Sequence, residues 1–154
     1  MNVQRILFPT DFSRANHAAL EVAVSLARDC NATLVIAHCE DTPLGGEYSY
    51  GAPMPDNKPR QAELDQMMAI VKGVRCEKRL VYGNPAQAIV GLAEKESIDL
   101  IVMGTHGRTG FRRALMGSVS EAVVRHAKCP VLTIRQAGSN FDERQCSASL
   151  LSDH

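Results

Sequence analysis

The chain has no net charge: lysine plus arginine and aspartate plus glutamate are both 17 in 154 residues. Without a global field of one sign, no DNA- or RNA-binding surface is expected. The sequence does not open with a basic stretch followed by an apolar one, and no apolar run approaches the length of a membrane span. The expected setting is therefore the cytoplasm, away from any membrane. Cys30, Cys39, Cys76, Cys129 and Cys146 are odd in number and scattered, with no C-x-x-C pair. They read as reduced thiols, mostly small core residues, with Cys146 in the tail the most exposed. The five histidines are equally dispersed, and no H-x-x-x-H or His/Cys spacing proposes zinc. Two phosphate-binding signatures are missing as well. There is no G-x-x-x-x-G-K-[ST], and Gly104, Gly107 and Gly110 are spaced G-x-x-G-x-x-G rather than G-x-G-x-x-G.

What is present alternates between two periods. Val3 to Phe8 ends in an apolar run suited to a strand buried on both faces. Ala15, Ala18, Ala19, Val22, Ala23 and Leu26 then recur at helical spacing, so Ser13 to Arg28 should be a helix with a flat, small-residue face, ended by Asn31. Ala32 to Cys39 reads as a second strand. Its His38 is expected to be a packed or hydrogen-bonded histidine rather than a catalyst. Glu40 to Pro59, dense in proline and glycine and carrying Tyr48 and Tyr50, is the longest irregular stretch, and a mobile flap over the site is expected there. Leu64, Met67, Met68 and Val71 place a helix over Arg60 to Lys72, closed by Gly73, with the methionines as core filler. Arg75 to Val81 is a strand of mixed polarity, hence a sheet edge. Asn84-Pro85-x-Gln87 starts a third helix with cap, proline and amide in place. Leu100 to Met103 is a central strand, a fourth helix carries Val119, Ala122, Val123, His126 and Ala127, and Pro130 to Ile134 is the last strand. Residues 1–135 form one α/β domain, and 136–154 a polar tail. Strands alternating with helices, each connection long enough for a right-handed crossover, predict an open doubly wound five-stranded parallel sheet. The expected strand order is 3-2-1-4-5.

The chemistry concentrates between Leu100 and Glu121. A buried strand turns on Gly104 and Gly107, carries Arg108, Arg112 and Arg113 through a loop, and restarts as a helix at Gly117-Ser118. Backbone N–H groups approach an oxyanion closely where no Cβ intervenes, and the first turn of a helix supplies unpaired donors. Phosphate suits that arrangement. A plain alternative is that Ser118-x-x-Glu121 is a capping box needing no ligand. Asp11 follows the first strand, at the sheet edge that lines the ligand crevice. It could accept a ribose hydroxyl or hold a metal through water, or else Asp11 or Ser13 caps the following helix. In the expected order, the first and fourth strands deliver Asp11 and Gly104 to one crevice.

Gly104-x2-Gly107-x9-Gly117-Ser118 after a strand ending in Met103, with the opening VQRILFPTDFS and the closing CPVLTIR, resembles the nucleotide-binding signature of the universal stress protein family. The resemblance runs from Met1 to Arg135 and implies the same Rossmann-like fold and strand order. Family members that keep this glycine pattern bind ATP, and this chain keeps it whole. The resemblance implies adenine at the backbone after the second strand, near Ala37 and Cys39, with ribose near Pro9, Thr10 and Asp11. Phosphates would lie on the N–H groups of Gly104, Gly107, Gly117 and Ser118, close to Met103, Val119 and Ser120, with Arg108 or Arg112 on the terminal phosphate. The ligand would be ATP, ADP or AMP, with Mg²⁺ bridging phosphate oxygens and possible help from Asp11 through water. The family also implies a homodimer through Val131 to Ile134. Three roles follow: an ATP-binding regulatory or stress-response protein, a dimeric interaction module without a working site, or a slow ATPase. For the last, His106 is the only nearby base, so at most slow hydrolysis is expected.

Overall fold

The computed structural model describes residues 2–41, 57–105 and 116–135. Nine elements alternate along them: β1 (Arg5–Thr10), α1 (His17–Asp29), β2 (Thr33–Glu40), α2 (Lys58–Ile70), β3 (Arg75–Tyr82), α3 (Pro85–Lys95), β4 (Leu100–Gly104), α4 (Ser118–His126) and β5 (Val131–Ile134). The strands form one parallel sheet in the order β3-β2-β1-β4-β5, as expected. Winding reverses between β1 and β4, which opens a crevice at their carboxyl ends.

Each central strand feeds two cores because its side chains alternate faces. Ile6 and Phe8 of β1 join Leu34, Ile36 and Val102 under α1 and α2. Leu7 joins Val35, Ile101 and Met103 under α3 and α4. Residues 6–8 are all fully buried, which is why that run shows no polar alternation. Ala19, Ala23 and Ala27 form the buried stripe of α1, and their small side chains let the helix backbone sit close to the sheet. Asn31 ends that segment in the left-handed region at φ 53°.

Two helix boundaries differ from the sequence reading. The segment expected to be α-helical from Ser13 opens with a 3-10 turn over Arg14–Asn16, and the α-helix starts at His17. The Asp11 carboxylate winds that turn by accepting from the Ser13 N–H at 2.9 Å and the Asn16 amide at 2.6 Å. Helix α2 begins at Lys58 rather than Arg60, with Pro59 in its first turn, and Val71 is already extended. Proline pre-sets the helical φ there. Met67 and Met68 pack against the core, as expected. Asn84 caps α3 by accepting from the Gln87 N–H at 3.2 Å.

β3 is the polar edge that its composition foretold, and its charges are organised. Arg5 pairs with Glu77 at 3.2 Å and Glu96 at 2.7 Å, while Arg79 pairs with Glu77 at 2.6 Å and also with Glu96. The hydrogen bond from Arg79 holds the Glu96 carboxyl below the usual range, as that from Arg5 does for Glu77, each outweighing the opposite push of burial. A carboxyl depressed on folding adds stability above its unfolded value of about 4.3, and that stability fades as pH falls through the lower folded value. Glu96→Gln should therefore lower the melting temperature at neutral pH, and the gap from wild type should narrow as the buffer is taken below about pH 4. Thermal scans across that range test it, and a gap constant with pH would contradict the linkage.

Cys76 and Cys129 are half-buried against the two cores, whereas Cys30 is exposed. Among the described residues, no helix is long and apolar enough to cross a membrane.

Candidate functional site

The carboxyl ends of β1, β2 and β4 and the first turn of α4 enclose a cleft of about 470 Å³. That size lies within the usual range for small-molecule sites. Pro9, Thr10 and Asp11 line it from β1, Cys39 from β2, Met103 and Gly104 from β4, and Gly117 to Ser120 from α4. The expected convergence of β1 and β4 is thus present. Ala37 does not line the cleft. It is 1% exposed in the core beneath α3, because it shares the face of Cys39 but sits one pleat deeper. Gly107, Arg108, Arg112, Arg113 and His106 lie outside the described residues, as do Cys146, the tail and residues 42–56 of the flap expected over Glu40 to Pro59, whose ends differ from that reading: Glu40 closes β2, and Lys58 and Pro59 open α2.

Gly117, not Ser118, is the N-cap of α4, with φ −73° and ψ 158°, and it makes no side-chain cap. Ser118 is the first helical residue, so the capping-box reading does not hold. The Gly117 N–H is also not the open donor expected of it, since it donates to the Thr105 carbonyl at 2.6 Å. The Ser120 hydroxyl, 3% exposed, lies 3.1 Å from the same carbonyl and 2.9 Å from the Gly117 carbonyl. These contacts clasp the helix start to the end of β4. A clasp of this kind leaves the donors one step further on. No carbonyl among the described residues accepts from the N–H groups of Ser118, Val119 or Ser120, and these are the amides a helix leaves unpaired in its first turn. The helix dipole adds partial positive charge behind them.

The β1 and β2 side of the cleft carries acceptors. Asp11 is joined there by Glu40 and Asp41, both missed by the sequence reading although they lie at and just after the carboxyl end of β2, where the crevice rule would have found them. Glu40 is held by His38 at 2.9 Å and by Arg60 at 3.3 Å. Burial raises its carboxyl, but these hydrogen bonds outweigh that and keep it below its ordinary range. His38 is packed and hydrogen-bonded as expected, with its second ring nitrogen 2.8 Å from the Thr10 carbonyl. Its ring meets that of Phe12 at 4.5 Å. Phe12 has φ 62°, an unfavourable region for a bulky side chain, so the turn after β1 is strained beside the cleft.

Pro85 and Ile89 of α3 supply an apolar wall near Cys39. The Cys39 thiol is pushed up to about 11 by burial and then by the Asp41 and Glu40 carboxylates. It lies 3.4 Å from the Gly83 carbonyl. A thiol so poised stays neutral near pH 7 and is no nucleophile. The cleft is therefore dipolar, with amide donors at α4, carboxylate acceptors at β1 and β2, and an apolar wall from α3.

The model of the universal stress protein family matches residues 2–135. This chain belongs to that family. A universal stress protein of Methanocaldococcus jannaschii is 34% identical over 140 residues, covering 86% of this chain and 82% of that protein. Among solved structures, the universal stress protein UspA from Lactobacillus plantarum superposes with a TM-score of 0.68 at 30% identity, over 88% of this chain and 99% of that one. A family member solved in complex with cAMP gives 0.69 at 27% identity, over 89% of this chain and 100% of the other. The five-stranded parallel sheet in this order is thus the family's fold.

Proposed function

We propose that this chain is a cytoplasmic adenine-nucleotide-binding universal stress protein with a regulatory or stress-response role. The observation that carries the reading is the lining of the cleft: first-turn amides of α4 that no carbonyl among the described residues accepts from, beside β4, and the carboxylates of Asp11, Glu40 and Asp41 at β1 and β2. A nucleoside phosphate has the matching polarity, with an anion at one end and hydroxyl and amine donors at the other. The solved relative bound to cAMP supports it.

In this reading the phosphates meet the Ser118, Val119 and Ser120 amides, ribose meets Asp11, and adenine lies near Cys39 against Pro85 and Ile89. ATP is the ligand proposed, with ADP and AMP as its shorter forms. Among the described residues, no three side chains suited to a metal cluster together. Mg²⁺ would accordingly ride on phosphate oxygens and keep most of its water, with Asp11 reaching it through one. A slow ATPase rests on His106 and adds a chemical step that binding does not need.

Association into a homodimer is the companion reading. β5 is the terminal strand of the sheet, and Leu132 on it and Val124 on α4 are 37% and 45% exposed. An edge with no strand beside it among the described residues, and with apolar neighbours, suits pairing with a second copy through Val131 to Ile134. One preparation tests both readings. Heat-released nucleotide identified by mass, with ATP titrated calorimetrically into stripped protein, should show an adenine nucleotide at about one per chain. Sedimentation should show two chains. A dimer that binds no adenine nucleotide would favour the interaction module instead.

A further inference from the structure

His38 lies at the cleft floor, 5% exposed, with an acceptor at each edge of its ring. On one side Nδ1 is 2.8 Å from the Thr10 carbonyl oxygen. A carbonyl only accepts, so Nδ1 carries a proton. On the other side Nε2 is 2.9 Å from a Glu40 oxygen. Arg60 Nε lies 3.3 Å from both Glu40 oxygens, and Arg60 also pairs with Glu63 at 2.8 Å. A guanidinium facing both oxygens favours the ionised carboxylate, which can only accept. Nε2 must then carry a proton too.

We propose that His38 is an imidazolium latch joining the end of β1 to Glu40 and Arg60, and that its second proton strengthens the cleft's hold on anionic ligands. The ligand half of this inference rests on the nucleotide reading above; the charge state of the ring does not. Among the described residues, the charged and titratable groups around the ring are Asp11 beyond β1, Cys39, Glu40 and Asp41 on and after β2, and Arg60 and Glu63 on α2. Phe12 covers one face of the ring and restricts water there. When the Nε2 proton leaves, its lone pair confronts the Glu40 oxygen. The floor becomes more negative by one charge, and the tie to α2 loosens. Both changes disfavour a bound anion, so affinity should fall as pH rises.

Cyclic AMP is the probe, because its phosphodiester keeps a constant single charge over the range and the ligand adds no titration of its own. Its affinity should be about three- to ten-fold weaker at about pH 8.5 than at about pH 6, from the loss of a charge near the site. His38→Gln, which cannot gain or lose that proton, should flatten the dependence. A slope unchanged in the variant would overturn the proposal. Imidazole ¹⁵N resonances of the ligand-free wild-type protein need no variant to fold. Two protonated ring nitrogens for His38 at about pH 6 support the latch, and one overturns it. If the ring is doubly protonated yet cyclic AMP binds at no pH, the latch stands and the nucleotide reading fails.

Discussion

Ser118→Pro should weaken adenine-nucleotide binding by about 10- to 100-fold with the fold intact, the range expected for losing one hydrogen bond to a charged group. Ser118 is the first residue of α4 and Gly117 before it is extended at φ −73°, ψ 158°. Proline is favoured at the first helical position, and the residue before a proline prefers that extended conformation. The substitution thus removes one backbone donor from the cleft rim while the helix keeps its shape, which side-chain truncation cannot do. Ser118→Ala is the paired control, since it deletes the hydroxyl and keeps the N–H. Calorimetric titration of ATP into the three proteins gives the comparison. If the proline variant binds as tightly as wild type, the main-chain cradle at α4 is wrong. If both variants weaken equally, the hydroxyl and not the amide holds the anion.

The amide that matters is not the one the glycine spacing singles out, and the reason is local. Gly117 reads as the donor because glycine lets a ligand approach the backbone. Whether its N–H is open, though, depends on where the Thr105 carbonyl lies in the folded chain. No pattern of residue types encodes that pairing. Strand β1 was legible for the opposite reason. Ile6, Leu7 and Phe8 are buried on both faces of a parallel sheet, and such a strand shows itself as an unbroken apolar run. The Asn84-Pro85 start of α3 was legible because capping is a contact within three residues. Asp11 and Gly104 could be brought together from afar because strand order alone carries both to the crevice. Arg60 could not, since its meeting with Glu40 depends on where α2 lands against the end of β2. Asp11 also shows that two readings of one residue need not compete. Its carboxylate winds the turn before α1 and still lines the cleft.

Leu64→Ala should cost about 2–5 kcal/mol, a drop of roughly 5–15 °C in melting temperature for a domain of this size. The apolar spacing of Leu64, Met67, Met68 and Val71 suggests a broad stripe, yet Leu64 is the single residue of α2 that is buried outright. It fills the core beside Leu34 and Ile36, while Met67 and Met68 only cover its edge. Helices of this length are held by packing rather than by propensity. The docking of α2 therefore concentrates on one side chain, and Met67→Ala should cost well under half as much, because flexible, partly buried methionine gives up less surface and leaves room to collapse. The loss should also reach the cleft, since α2 carries Arg60 to its tie with Glu40. Nucleotide affinity should fall in Leu64→Ala, but less than in Ser118→Pro, because the wall is loosened while the open amides of α4 stay in place. Thermal melts and titrations of the two core variants decide this. Equal destabilisation by both would mean that the helix is held along its whole length, and unchanged affinity in Leu64→Ala would remove α2 from the account of the site.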